Sequence, residues 1–85
     1  MISNKEIATQ YNIFSNNIRH YRKKINMTQE ELAELCDLST SYIKQIESGK
    51  EYKNVSLTVI LKISKALGVN VDQLFCMTEV SQHAS

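Results

Sequence analysis

The stretch that decides the fold runs from Thr28 to Lys50 and reads TQEELAELCDLSTSYIKQIESGK. Thr28 is followed three residues later by Glu31, and this capping-box spacing predicts the start of a helix. Ser39 caps a second helix, which Gly49 ends. Each helix has about nine residues, and a turn of about three or four residues joins them. So short a link forces the two helices to cross steeply, which is the geometry of a helix-turn-helix.

The second of these helices has a polar outward face. Ile43 and Ile46 have the spacing of residues that point into a core. The exposed side is left with Thr40, Ser41, Lys44 and Gln45. In a helix-turn-helix the second helix enters the major groove, where Gln pairs with adenine, Lys donates to guanine and hydroxyls serve several bases. Any solvent-facing helix is polar, however, so this pattern alone does not decide between a DNA-reading face and an ordinary surface.

Periodicity predicts another helix before this unit. Asn26 suits its end, because Asn tolerates the left-handed backbone conformation of a helix C-terminus. Its apolar face, with the 3.6-residue period of a helix, is formed by Phe14, Ile18, Tyr21 and Ile25. Further toward the N-terminus, Ser3 and Glu6 predict an additional turn or helix. The apolar side of that addition is expected to carry Ile7 and Tyr11.

Two more helices are predicted after the unit. Ser56 caps a fourth helix that Gly68 ends. Its inward side is expected to carry Leu57, Ile60, Leu61, Ser64 and Leu67. Asn70 and Gln73 form another capping box, which opens a last short helix. That helix holds an apolar cluster of Val71, Leu74, Phe75 and Met77, half of which is expected to fill the core.

The composition agrees with an all-α fold. The chain has 85 residues, no proline and only two glycines, and period-2 alternation is not sustained anywhere, which argues against a turn-rich β protein. We therefore expect one compact domain of five helices, with the possible extra N-terminal turn. The division expected is an N-terminal extension at 1–12, a helix-turn-helix domain at 13–77 and a polar tail at 78–85.

Charge and cysteine content limit the function classes. A net charge of +1 excludes a histone-like mass of positive charge, but it permits a local basic face. The sequence has no apolar run of about 18 residues and no export signal, so we expect a cytoplasmic protein whose Cys36 and Cys76 stay reduced. No nucleophile–base pair, carboxylate dyad or metal cluster is recognisable. We therefore expect no enzyme, no metal, no cofactor and no small-molecule ligand.

The residues quoted above resemble the lambda repressor/Cro-like helix-turn-helix family, which includes the xenobiotic response element type of transcriptional regulator. The resemblance covers the run Thr28 to Ala33, the run Leu38 to Lys50, and the segments from Phe14 to Arg22 and from Ser56 to Phe75. It implies the five-helix fold and double-stranded DNA as the partner. The chain departs from the family pattern at Asp37, where the family usually has Gly in the turn. Asp reaches the left-handed region more easily than most residues, so the turn is expected to survive.

The resemblance also implies roles by position. Base-reading positions match Thr40, Ser41, Lys44 and Gln45. Phosphate-binding positions match Thr28, Gln29, Ser39, Tyr42, Lys50, Lys53 and Asn54. Arg22 and Glu47 match a family ion pair that ties the first helix to the end of the third, and Arg22 is a possible phosphate contact as well. Lysines near the recognition helix, together with basic residues of the first helix such as Arg19, predict affinity that falls by about 0.9 log units per log unit of salt for each phosphate neutralised.

The leading hypothesis is a sequence-specific transcriptional regulator, most simply a repressor that acts as a homodimer on a palindromic operator. The last helix, through Val71, Leu74, Phe75 and Met77, is the expected dimer contact. The alternative is a protein-interaction module, antitoxin-like or an anti-repressor partner, built on the same fold. Gln29, Gln45 and the lysines argue against a neutralised DNA face, and so favour the regulator.

Overall fold

The computed structural model describes residues 1–50 and 54–77, and all regular structure in that part of the chain is helical. It consists of α1 (Asn4–Lys24), α2 (Gln29–Cys36), α3 (Thr40–Ser48), α4 (Leu57–Leu67) and a 3₁₀ turn (Val71–Leu74). The all-α prediction is confirmed. The expectation of five α-helices is wrong by one, because the last element is a single 3₁₀ turn. Its hydrogen bonds run from Gln73 N to Asn70 O and from Phe75 N to Asp72 O, each 3.0 Å, and this i to i+3 pattern defines a 3₁₀ helix.

The first helix is longer than the periodic stretch that predicted it. Ser3 Oγ accepts from Glu6 N at 3.2 Å, and Ser3 N donates to the Glu6 carboxylate at 3.4 Å, so the capping box opens α1 itself. The N-terminal turn is therefore the beginning of α1 and not an additional element. The division expected between residues 12 and 13 lies inside this helix, and Tyr11 on its N-terminal side is 7% exposed.

The predicted starts of α2, α3 and α4, and the predicted ends of α1 to α4, are confirmed. Thr28, Ser39 and Ser56 each accept a hydrogen bond from a backbone N–H in the first turn of the helix they precede. Left-handed backbone conformations occur at the expected ends, Asn26, Asp37, Gly49 and Gly68. Polar caps and left-handed residues are local signals, so they could be located without knowledge of the packing.

The core lies where α1, α2, α3, α4 and the 3₁₀ turn meet. Its fully buried side chains include Ile18, Leu32, Ile43, Ile46, Ile63 and Leu74. Phe14 of α1 stacks on Phe75, with ring centroids 5.0 Å apart and planes at 9°. Cys36 is buried in this core, as expected.

Four residues expected on apolar, inward-facing sides are exposed, one of them Ile7 of α1 at 40%. Ile25 lies just beyond the end of α1 and is 49% exposed, while Leu57 and Leu61 on α4 are 67% and 40% exposed. The buried residues of α4 are instead Ile63, Ser64 and Leu67. Because α4 carries apolar residues around much of its circumference, its sequence does not determine which stripe contacts the rest of the protein.

Polar side chains of α1 hold the C-terminal segment in place. Asn17 Nδ2 lies 3.2, 2.8 and 2.8 Å from the carbonyl oxygens of Gln73, Leu74 and Cys76. Gln10 Nε2 donates to Phe75 O at 2.8 Å. These bonds satisfy carbonyl groups that a single helical turn leaves without partners.

An apolar cleft of about 410 Å³ opens between α1, residues 54–56, α4 and Phe75. The sequence did not predict it. Its apolar lining comes from Ile7, Tyr11, Phe14, Val55, Ile60 and Phe75.

No membrane-spanning helix is found in the part of the chain that the structure describes.

Candidate nucleic-acid interface

The outward side of α3 is the candidate reading face, which we define as Thr40, Ser41, Lys44 and Gln45. Ser41, Lys44 and Gln45 are exposed and Thr40 is half-buried. Positions 41, 44 and 45 share one side of a helix. Ile43 and Ile46, on the opposite side, have no exposed surface. The structure therefore brings amide, ammonium and hydroxyl groups together on one solvent-facing surface.

The beginning of α2 offers donors to an anion, although one of them is already used. Thr28 is exposed and Gln29 is half-buried. Gln29 Nε2 donates to Glu47 Oε1 at 3.1 Å. A carboxamide nitrogen carries two hydrogens, so one remains for a phosphate oxygen. The backbone N–H groups in the first turn of α2 point out of the helix end, which is the arrangement that binds anions at helix N-termini.

The other predicted phosphate contacts border α3 at both ends. Ser39 is exposed, and its Oγ accepts from Tyr42 N at 3.1 Å, which leaves the hydroxyl hydrogen to donate. Tyr42 is half-buried against the core. Lys50 and Asn54 are exposed after the helix. Lys53 lies outside the described residues.

Arg22 and Glu47 form a buried ion pair between α1 and α3. Arg22 Nε lies 2.7 Å from Glu47 Oε2, and Arg22 Nη2 lies 2.9 Å from Glu47 Oε1. Arg22 Nη1 donates to Met27 O at 2.8 Å. The side chains are 9% and 2% exposed. With its charge paired and little of it exposed, Arg22 is unsuited to the additional phosphate contact that the sequence suggested.

Two α1 residues that the sequence did not connect to α3 also contact it. Ser15 Oγ donates to Ile46 O at 2.6 Å, and Arg19 Nη1 donates to Glu47 O. The sequence placed Arg19 only in a general basic face and gave Ser15 no role. Helical spacing places positions 15, 19 and 22 on one side of α1, but it does not identify the backbone carbonyl groups of α3 that they contact.

Exposed positive charge lies on the reading face, just after α3 and at the end of α1. Lys44 and Lys50 are exposed, as are Lys23 and Lys24 at the end of α1. The acidic residues of α2, Glu30, Glu31 and Glu34, are also exposed. The exposed lysines permit a local positive surface on a chain whose net charge is only +1, and such local fields attract polyanions.

Across residues 1–50 and 54–77, no group of three or more His, Cys, Asp and Glu side chains is placed to hold a metal ion. Burial raises the pKa of the Cys36 thiol, and the nearby Lys62 charge only partly opposes this. A thiol in that environment is a poor nucleophile, because the thiolate is the reactive form.

These features define a helix-turn-helix protein with the arrangement of a DNA-binding domain. The sequence profile of the helix-turn-helix family matches residues 18–74, more than half of the chain. The chain belongs to this family, which is of the lambda repressor/Cro-like type, as the resemblance of its residues indicated.

Three proteins similar to this chain are control or controller proteins by name. The chain is 48% identical over 69 residues to control protein C.BamHI of Bacillus amyloliquefaciens, covering 80% of this chain and 83% of that protein. It is 41% identical over 63 residues to control protein C.MunI of a Mycoplasma species, covering 73% and 82%. The crystal structure of the restriction-modification controller protein C.AhdI from Aeromonas hydrophila matches with a TM-score of 0.71 at 36% identity, covering 79% of this chain and 98% of that one.

Proposed function

We propose that the chain is a sequence-specific double-stranded DNA-binding repressor that acts as a homodimer on a palindromic operator. The observation that carries the proposal is the reading face. Three of its four side chains are exposed and Thr40 is half-buried, on a short helix whose other side is completely buried, so the helix presents these side chains in a fixed orientation. Reading of base edges needs such fixed geometry, because bidentate hydrogen bonds are directional.

In this proposal α3 lies in the major groove, and the N-terminus of α2 points at the sugar-phosphate backbone of the DNA. Lys44 and Gln45 contact base edges, and Thr40 and Ser41 supply hydroxyls. Phosphates are bound at the two ends of the unit by Thr28, Gln29, Ser39, Tyr42, Lys50, Lys53 and Asn54. Repression follows when the bound protein occupies DNA that RNA polymerase needs. The protein works at the nucleoid in the cytoplasm and needs no cofactor.

The regulated genes are proposed to be those of a restriction-modification system, including the gene of this chain. The support is the identity to control proteins C.BamHI and C.MunI over most of the chain. The likeness to the restriction-modification controller C.AhdI supports it in structure as well.

A homodimer extends the site that one short helix can read. Two recognition helices related by a two-fold axis contact half-sites about one DNA turn apart, roughly 34 Å. Of the four residues expected at the interface, Leu74 is buried in its own core and Phe75 stacks on Phe14. Neither can supply much contact surface to a second copy. Val71 is half-buried and Met77 is 56% exposed, so these two remain from the expected contact, and we add the exposed Leu57 and Leu61 of α4 to it.

Binding to DNA tiled across the 5′ flank of its own gene tests the proposal. Fluorescence anisotropy would compare wild type with Lys44→Ala and with Lys65→Ala, which removes the same charge from exposed α4 surface. We expect one tile to bind tightly, and Lys44→Ala to weaken that binding by about 1–3 kcal/mol. A reporter downstream of that tile should lose expression when the protein is supplied.

Two results would overturn the proposal. One is equal affinity for every tile. The other is an equal loss from the two lysine variants, which would mean that only the overall charge matters. Increased expression of the reporter would retain specific DNA binding and replace repression by activation.

A further inference from the structure

The C-terminal end of α3 is closed differently from the ends of α2 and α4. After α2, Leu38 N donates to Ala33 O at 2.9 Å, and after α4, Val69 N donates to Ser64 O at 3.0 Å. These are backbone bonds from the chain that follows each helix. After α3 the corresponding Lys50 N donates to Ser48 Oγ at 3.4 Å. The last carbonyls of α3 are therefore available to other donors.

Side chains of α1 take up two of these carbonyls. Ser15 Oγ donates to Ile46 O at 2.6 Å, in a buried contact, and Arg19 Nη1 donates to Glu47 O. We call Ser15 and Arg19 the α1 anchor. Arg19 also places a positive charge at the negative end of the helix dipole of α3, which is favourable. Its other arm, Nη2, donates to Asn16 Oδ1 and so holds the guanidinium in place.

The backbone at this end of α3 lies very close to α1. Gly49 has φ +62°, and a Cβ placed on it would lie 2.6 Å from Asn12 Oδ1 and 3.4 Å from Ser15 Cβ. The end of α3 thus packs directly on the side chains of Asn12 and Ser15 of α1.

We propose that the α1 anchor sets the DNA sequence specificity of the protein without touching DNA. This inference rests on the proposed function. Ile46 and Glu47 directly follow Lys44 and Gln45, so the anchor holds the same turn that reads bases. Hydrogen bonds to base edges weaken steeply with misalignment. The attraction between basic side chains and phosphates acts over a longer range, so it tolerates a small tilt of α3. Loss of the anchor should therefore lower affinity for the operator and leave non-specific affinity unchanged.

The test compares two buried serines. Ser15→Ala removes a hydroxyl that joins α1 to α3. Ser64→Ala removes one that donates to Leu61 O within α4, at 2.9 Å, and Ser64 is 4% exposed. Both variants lose a buried serine hydroxyl, but only the first is connected to the reading face. Arg19→Gln and Arg19→Lys test the second anchor residue, with Lys5→Ala as an exposed control on the same helix.

Each variant is measured on the tightest-binding tile and on a scrambled duplex of the same length and composition, across a series of salt concentrations. Circular dichroism confirms folding at the working temperature. We expect Ser15→Ala and Arg19→Gln to lose tenfold or more on the tile only, with the salt slope unchanged. Ser64→Ala should retain wild-type specificity. Arg19→Lys should recover part of the loss, because an ammonium can still donate to Glu47 O.

Three results would overturn the inference. If Arg19→Gln weakens both duplexes and reduces the salt slope by about 0.9, Arg19 contacts a phosphate. If Ser15→Ala and Ser64→Ala change specificity equally, general destabilisation is the cause. If wild type itself prefers no tile, the proposed function fails and the inference fails with it.

Amide hydrogen exchange without DNA separates these failures. Faster exchange in the last turn of α3 in Ser15→Ala, but not in Ser64→Ala, shows that the anchor acts on α3 whether or not an operator exists. Unchanged exchange there contradicts the inference independently of DNA. Should Arg19→Gln prove unfolded, Ser15→Ala and Arg19→Lys still decide the matter.

Discussion

At the scale of single residues, the buried Arg22–Glu47 pair is the contact most sensitive to substitution. Glu47→Ala leaves the Arg22 guanidinium, in a residue 8% exposed, without its carboxylate. An unpaired buried charge costs about 3–5 kcal/mol, whereas an exposed pair is worth less than about 1 kcal/mol. We therefore expect Glu47→Ala to lower the free energy of unfolding, measured in urea, by about 3–5 kcal/mol.

A double substitution is the control for this prediction. Arg22→Met with Glu47→Leu removes both charges and keeps much of the apolar volume, so it should recover much of the stability. A Glu47→Ala midpoint equal to that of wild type would show that the pair does not hold α1 to α3.

The two cysteines differ sharply in accessibility. Cys36 is 1% exposed and Cys76 is exposed. We expect a thiol reagent to modify Cys76 rapidly and Cys36 only as fast as the protein unfolds, so that Cys76→Ser abolishes the rapid phase. A rapid phase that persists in Cys76→Ser would contradict the burial of Cys36.

The same thiol contributes to the pH dependence of stability. Burial raises the pKa of Cys36 above its usual value of 9.0. The folded state therefore binds this proton more tightly than the unfolded state does. The resulting stabilisation is complete below about pH 9 and is lost as the pH rises through the folded-state pKa. Cys36→Ala should show a smaller decline in unfolding free energy in that alkaline range.

For single residues, the sequence predicted a role correctly where that role depends only on neighbouring positions in the chain. Thr28, Ser39 and Ser56 were identified as caps because a cap needs only a polar side chain before a helix. Arg22 and Glu47 could be paired only through the family resemblance. Ser15 escaped prediction because its partner, Ile46 O, is a backbone atom 31 positions away. No property of a sequence marks a carbonyl group that will need a donor.

At the scale of elements, the turn between α2 and α3 depends on one strained residue. Asp37 has φ 56° and ψ 47°, a region that is costly for residues with a Cβ. Its carboxylate also lies at the negative end of α2. Asp37→Gly should therefore raise the free energy of unfolding by up to about 1 kcal/mol, since the relief of strain outweighs the extra freedom of the unfolded chain.

Asp37→Asn separates the two causes. Asn removes the charge and tolerates the left-handed region about as well as Asp does. A gain confined to Asp37→Gly assigns the effect to the backbone, and an equal gain in Asp37→Asn assigns it to the charge. Destabilisation by Asp37→Gly would contradict the account of this turn.

The elements themselves were predictable to different degrees. Helices α2 and α3 were placed correctly because caps and left-handed residues mark both ends. The last element was predicted as a helix because Asn70 and Gln73 have capping-box spacing. It stops after one turn, and Asn17 Nδ2 contacts the carbonyl oxygens of Gln73, Leu74 and Cys76 that a longer helix would bond internally. The orientation of α4 was wrong for Leu57 and Leu61, because apolar residues on several sides leave the buried stripe to be chosen by the other helices.

At the scale of the whole molecule, the exposed apolar side chains predict self-association. Leu57 and Leu61 lie one turn apart on α4. Leu61→Asp should shift the protein to monomer in sedimentation equilibrium and lower operator affinity, because a charge in an apolar contact is unpaired. Leu35→Asp is the matched control, since Leu35 is 64% exposed on α2.

If Leu61→Asp and Leu35→Asp have equal effects on self-association, the dimer contact does not lie on α4. A wild-type protein that remains monomeric at high concentration, and again on a duplex with two half-sites, would contradict the homodimer itself.

The central claim is that α3 reads bases, and the most direct test is parallel selection from a randomised duplex pool with wild type and Gln45→Ala, near physiological salt. Wild type should enrich a palindrome with half-site centres about one helical turn apart. Gln45→Ala keeps the fold, because the side chain is exposed. It should enrich the same palindrome with the preference lost at one symmetric pair of positions. If wild type enriches no sequence, or if both proteins enrich an identical one, α3 does not read DNA through Gln45, and the first of these results would favour a protein-interaction module.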